Sequence, residues 1–210
     1  MIYRQQYRTF MLTILLGLFI FTLSGCAKSP PDDMENVCHI FQQYPKWYWA
    51  AQDSSDQWHV PISVMMAIIY QESHFHAKAA PPREKLLWII PWKRPTSAYG
   101  YSQAVKGTWK KYRKDTNHSW ANRSAFGDAV DFIGWFSHKA HQRAGISIRN
   151  AEHLYLAYHE GISGYMRHSY RKKHWLVNVA RHVQHRANKY RSQLKQCKHS
   201  LPKKPWWHFW

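Results

Sequence analysis

Glu72 is the residue of this 210-residue chain whose setting most favours chemistry. It closes an apolar run containing Ile62, Val64, Met65, Met66, Ala67, Ile68 and Ile69, the last two about one helical turn before it. A carboxyl that leaves such a face enters a partly desolvated cleft, where burial disfavours the charged form and raises the pKa. A carboxylic acid kept protonated near neutral pH is what protonating a glycosidic oxygen requires. The plain alternative is a helix-end glutamate fraying into solvent beside Ser73. A second carboxylate would allow water to be activated, and Asp128, Asp131 and Glu160 are the candidates. Placement in the early turns of a helix already accounts for the two aspartates, and a helix end for Glu160. Histidine is abundant at 15, with the pairs His74 and His76, His138 and His141, and His182 and His185. None completes a metalloenzyme motif, so no metal and no cofactor are expected.

To hold Glu72 in place the chain needs a buried helix over residues 61–76, opened by Pro61 where the missing N–H costs nothing. An aromatic helix over 38–53 precedes it, and Ser54-Ser55-Asp56 reads as a polar break. Residues 80–95 interrupt the pattern with Pro81-Pro82 and the run Leu86-Leu87-Trp88-Ile89-Ile90-Pro91-Trp92, a short hairpin or an apolar loop. That segment suits a cleft lid, a docking surface or a loop packed on its own core. Residues 97–115 become helical through Val105, Trp109 and Tyr112. Asn122 or Ser124 can cap a helix running through Phe136, and Asn150 one over 151–160 closed by Gly161 and Gly164. The last helix, over 166–196, is densely basic with a Trp175, Val179, Val183 stripe. The fold expected is mainly α, with an inserted loop or short hairpin.

The first segment speaks for the compartment. Arg4 and Arg8 precede an apolar stretch over 10–23 that ends in Leu23-Ser24-Gly25-Cys26. This reads as a secretory signal too short to span a membrane comfortably, and the small residues before the cysteine resemble a bacterial lipobox. The expected organisation is a lipoprotein signal peptide over 1–25, a lipidated tether over 26–36 starting at Cys26, a domain over 37–198 and a basic aromatic tail over 199–210. Ala27 favours the outer membrane, with the domain facing the periplasm. Cys38 and Cys197 are then either a disulfide joining the two ends of the domain or two free thiols. Thirty Lys and Arg against 12 Asp and Glu give +18, and 16% of residues are aromatic, so an anionic partner is expected. The leader argues against nucleic acid and for the cell wall or anionic lipid, the latter met by the tail ending Trp206-Trp207-His208-Phe209-Trp210.

Three segments in order carry a family resemblance. Pro61-Ile62-Ser63-Val64-Met65-Met66-Ala67-Ile68-Ile69-Tyr70-Gln71-Glu72-Ser73 resembles the first motif of the soluble lytic transglycosylase (SLT) domain, a lysozyme-like fold in which an apolar helix ends in Glu-Ser. Gly100-Tyr101-Ser102-Gln103 resembles the family's Gly-Leu-Met-Gln turn, and Ala157-Tyr158-His159-Glu160-Gly161 its Ala-Tyr-Asn-x-Gly segment. The resemblance implies a lysozyme-like helical domain that acts on peptidoglycan. Glu72 would be the single catalytic acid and base that cuts between N-acetylmuramic acid and N-acetylglucosamine and leaves 1,6-anhydro ends. Ser73 would support Glu72 or the substrate, Gly100, Tyr101 and Gln103 would border the sugar, and Tyr158 would orient Glu72, with His159 beside it. Tyr101, Ser102 and His159 depart from the family's Leu, Met and Asn. A muramidase that hydrolyses the same bond, and an inactive wall-binding lipoprotein, are the alternatives.

Overall fold

The computed structural model describes residues 29–82, 85–86, 90–91 and 94–206. The leader, Cys26, Leu87-Trp88-Ile89, Trp92 and the terminal residues 207–210 lie outside them. Among the described residues eight α-helices follow one another: α1 (Val37–Gln43), α2 (Pro45–Trp58), α3 (Ile62–Ser73), α4 (Lys106–Thr116), α5 (Phe126–Ala144), α6 (Ala151–Glu160), α7 (Ile162–Met166) and α8 (His174–Cys197). Between α3 and α4 a two-residue strand β1 (Lys85–Leu86) pairs antiparallel with β2 (Ile90–Pro91), Leu86 opposite Ile90. The fold is therefore mainly α with an inserted short hairpin.

At the centre lies α3, packed against α2, α5, α6 and α8. Met65, Met66, Ile68 and Ile69 are wholly buried, and each contributes on the order of 1.5–3 kcal/mol from apolar area removed from water. A helix apolar on nearly every side has to be surrounded, which is why the others form a shell around it. The Pro61 boundary agrees with expectation to within one residue: Pro61 caps α3 rather than opening it.

Ser54-Ser55-Asp56 does not break the chain, because α2 runs through it to Trp58. Ser54 is buried against α5, where its Oγ donates to the carbonyl of Val130 at 3.3 Å. The crossing depends on Gly134, since a Cβ there would lie 2.5 Å from Ser54 Oγ and 2.6 Å from Trp58 Cδ1. Polarity alone mistook a helix-crossing serine for a breaker. Neither Asn122 nor Ser124 caps α5: its N-cap is Ala125, while Asn122 Oδ1 accepts from the Ser124 N–H at 3.0 Å. Asn150 does cap α6, accepting from the His153 N–H, and Gly161 ends it.

The expected long last helix is divided. After α7, His168 takes a left-handed conformation (φ 58°), a 3₁₀ turn covers Ser169–Lys172, and α8 starts at His174. Its buried stripe is Leu176, Ala180, Val183, Ala187 and Tyr190, spaced four and three, whereas Trp175 is exposed. Of the expected stripe of Trp175, Val179 and Val183, only Val183 is buried.

Both ends of the body are fastened. Cys38 and Cys197 form a disulfide across a separation of 159 residues. The stretch read as a tether is not free from Ser29 onward: Pro31 is buried, the Tyr190 hydroxyl donates to the Met34 carbonyl, and Glu35 pairs with Arg186 and Lys189. The tail also returns to the body, with Leu201 buried, Trp49 Nε1 donating to the Pro202 carbonyl at 2.7 Å, and Lys204 paired with Asp53. Among the described residues, no helix is long and apolar enough to cross a membrane.

Candidate active site

Glu72 occupies the last turn of α3, and the backbone after it reverses sharply. His74 and Phe75 both have left-handed φ (47° and 59°), and Phe75 turns back to wholly buried packing against Trp47 and Tyr70. Ser73 is buried, and its Oγ donates to the Ile69 carbonyl at 3.2 Å, which ties it to the helix beneath Glu72. The glutamate is only part-buried as a residue, yet its carboxyl is enclosed. Burial pushes its pKa up to about 7, against the opposing effect of a hydrogen bond from the Tyr155 hydroxyl.

The second segment is joined to the loop after α3 through one carbonyl. Ala79 O accepts both the Gly100 N–H and Gln103 Nε2 at 2.8 Å, and Gln103 Nε2 also reaches the Gly100 carbonyl at 2.8 Å. Gln103 therefore braces its own turn with its amide. Gly100 has φ 77°, and a Cβ there would stand 2.0 Å from the Arg123 carbonyl oxygen, so only glycine fits. Tyr101 does not border a cleft. It is buried among Trp47 and Phe126, with ring centroids 5.5 Å from each, and burial pushes its phenol up to about 12. The tyrosine takes the place of an apolar core residue, as its pairing with the family's Leu would suggest.

Helix α6 closes the ring, with the tyrosines in different roles from those expected. The Tyr158 hydroxyl donates to the Ser102 carbonyl and so holds the second turn, while Tyr155, one helical turn earlier, hydrogen-bonds Glu72. Tyr158 still feels the Glu72 charge, and burial together with that charge keeps its phenol well above the ordinary range. Residues 155 and 158 share one helix face, so the Tyr-x-x-Tyr spacing was the available signal for Tyr155. His159 points elsewhere, with Nδ1 3.0 Å from Glu160 Oε1 and its ring edge-on to Trp175. Ser102 is wholly buried, and its Oγ has no hydrogen-bond partner among the described residues.

The other candidate carboxylates are committed away from Glu72. Asp131 accepts from Trp58 Nε1 and the Tyr112 hydroxyl, both at 2.7 Å. Asp128 accepts from the Asn122 N–H at 2.7 Å; burial raises its pKa and that bond opposes the rise. Burial would also raise Glu160, but hydrogen bonds from Lys173, Ser169 and His159 bring it down to about 2. The described residues contain no group of three His, Cys, Asp or Glu able to hold a metal ion. His138 and His141 each direct Nδ1 to a backbone carbonyl, of Trp58 at 3.1 Å and of Ile146 at 2.8 Å.

The site is thus one desolvated acid, steadied by a phenol, at the meeting point of three segments that hydrogen bonds link into a ring. Comparison with known proteins bears on the same segments. A family model described as the transglycosylase SLT domain matches residues 14–197 and includes all three. No curated protein and no solved structure matches the chain. With most of its length matched by that model, the chain belongs to the transglycosylase SLT domain family, whose members act on peptidoglycan in the manner of lytic transglycosylases.

Proposed function

We propose that this protein is a lytic transglycosylase that cleaves the bond between N-acetylmuramic acid and N-acetylglucosamine, with Glu72 as both catalytic acid and catalytic base. The observation that carries the reading is the state of Glu72: a pKa raised to about 7 by burial, one phenol donating to it and, among the described residues, no other carboxylate acting on it. A paired-carboxylate hydrolysis needs a second acid within several ångströms. Asp128, Asp131 and Glu160 are all occupied with other partners.

In the proposed reaction, protonated Glu72 gives its proton to the glycosidic oxygen as the bond from muramyl C1 to that oxygen breaks. The N-acetyl oxygen of the same sugar supports the positive charge developing at C1. Glu72, now a carboxylate, accepts a hydrogen bond from Tyr155 and takes the proton from the muramyl O6 hydroxyl. O6 bonds to C1, closing the 1,6-anhydro ring, and Glu72 is protonated again without water being consumed. A pKa near ambient pH suits a group that must give and then take one proton. The turn at Gly100 and Gln103, fixed to the loop after α3, would form one wall of the sugar site, with Ser73 supporting Glu72 from below.

The Cys26 lipobox further supports an address at the outer membrane, lipid-anchored and facing the periplasm. Mass spectrometry of muropeptides released from purified sacculi tests the reaction. Anhydromuramyl ends are the expected product, and reducing ends would overturn the assignment in favour of hydrolysis.

A further inference from the structure

Beside the catalytic ring lies a groove that the proposed reaction does not use. It is an open concavity of about 920 Å³ between α4 and the loop over 117–123, lined by Lys106, Lys110, Arg113, Lys114, Trp120 and Arg123, with Asn117, Ser119 and Asn122 between them. We propose that this groove binds the acidic stem peptides of peptidoglycan and so selects peptide-bearing glycan for the site at Glu72. The proposal rests on the reading of peptidoglycan as substrate.

Charge is the first argument. Among the described residues five cations line the groove without any acid, and none of the five forms an ion pair. The acids nearby are engaged elsewhere: Asp115 with Lys111, Asp128 with the Asn122 N–H, and Asp131 with Tyr112 and Trp58. Lys106, Lys110 and Lys114 stand at successive i, i+4 positions of α4, where like charges destabilise a helix. Lys106 also opens the helix, at the end where the dipole disfavours a cation. A bound anion would offset both costs.

Shape and chemistry choose among anions. Trp120 is 95% exposed, while Trp109, which also lines the groove, is buried and donates Nε1 to the Ala121 carbonyl at 3.3 Å. One exposed ring in a concavity does not make the row of stacking platforms that single-stranded nucleic acid uses. A recessed site with amide and hydroxyl groups between separated cations fits discrete carboxylates on a short chain better than a flat lipid surface. Stem peptides present such carboxylates along with amide groups that Asn117, Ser119 and Asn122 can meet.

The groove is built into the catalytic ring. The Arg123 carbonyl accepts the Tyr101 N–H at 3.2 Å, and its Nη1 donates to the carbonyls of Ser97 and Ala104 at 2.7 and 2.8 Å, on either side of the second segment. Arg123 thus lines the groove with its side chain while its backbone backs the turn at Gly100.

The test replaces exposed groups only: Lys110→Glu with Lys114→Glu, the milder Lys110→Gln with Lys114→Gln, and Trp120→Ala. In the Glu72→Gln background, binding is measured to intact sacculi and to glycan stripped of its peptides by an amidase. Charge reversal should weaken binding to intact sacculi at least tenfold and leave stripped glycan within twofold, with the glutamine pair and Trp120→Ala intermediate. With Glu72 present, KM for intact sacculi should rise and kcat should hold. Unchanged affinity for intact sacculi, or an equal loss on both substrates, overturns the inference. So does groove-dependent binding to anionic vesicles or DNA that exceeds binding to sacculi. Failure of the transglycosylase reading would show instead as wild-type protein that releases no anhydro ends, whatever the groove variants bind.

Discussion

Replacing Glu72 by Gln should make the protein more stable, by an amount that depends on pH. With the carboxyl raised from 4.5 to about 7, folding holds a proton that the unfolded chain has released at intermediate pH. Below about pH 4.5 both states are protonated and the acid imposes no penalty. As pH rises towards 7 the unfolded state ionises first and stability falls, and above 7 the penalty is complete. At 1.36 kcal/mol per pKa unit the shift corresponds to about 3 kcal/mol. Glutamine keeps the volume and an acceptor for the Tyr155 hydroxyl while removing the charge. For a chain of this length the gain is roughly 6–12 °C in Tm at pH 8, shrinking to nearly nothing at pH 4. Thermal melts of both proteins at pH 4, 6 and 8 measure it, since every other titrating group cancels in the difference. A variant that is less stable at pH 8, or a difference that does not change with pH, would refute the claim that Glu72 is desolvated.

Tyr155→Phe removes a hydrogen bond that favours the carboxylate, so the alkaline limb of the pH–activity profile should move above the wild-type position near 7; Tyr158→Phe, acting through the Ser102 carbonyl, should leave that limb in place and cost about 1 kcal/mol of stability. Gly100→Ala should cost more than about 2 kcal/mol in a denaturant titration, because a left-handed residue and a Cβ 2.0 Å from the Arg123 carbonyl both oppose it. Cys197→Ser opens a loop closed across 159 residues and should destabilise by about 2–5 kcal/mol. If wild-type and serine proteins melt together under non-reducing conditions, the bridge contributes nothing.

How well the sequence could be read depended on the kind of signal. Helix α3 was legible because its apolar residues are almost continuous, and α6 because Asn150 and Gly161 bracket it. Polar residues misled where tertiary contacts decide. Ser54 sits in a helix crossing that depends on Gly134, far away in sequence but adjacent in the fold. The stretch from Ser29 looked like a tether because Pro and Asp predominate, yet Glu35 meets Arg186 and Lys189 on α8, a long-range pairing no local pattern contains. In the site, the three segments were found from their order. Which tyrosine meets Glu72 was not, because residues 155 and 158 lie on one face and only the rotation of α6 against α3 assigns the bond to Tyr155. Tyr101 read as a cleft residue from its place in a motif, when its ring fills the core beside Trp47.

The most direct test of the central claim is digestion of purified sacculi by wild type and by Glu72→Gln at pH 6, with released products resolved by mass spectrometry. Wild type should release anhydromuramyl products. The variant, folded and at least as stable, should release none above background, because among the described residues no other carboxyl acts on the Glu72 site. Anhydro products released at a comparable rate by Glu72→Gln would contradict the account.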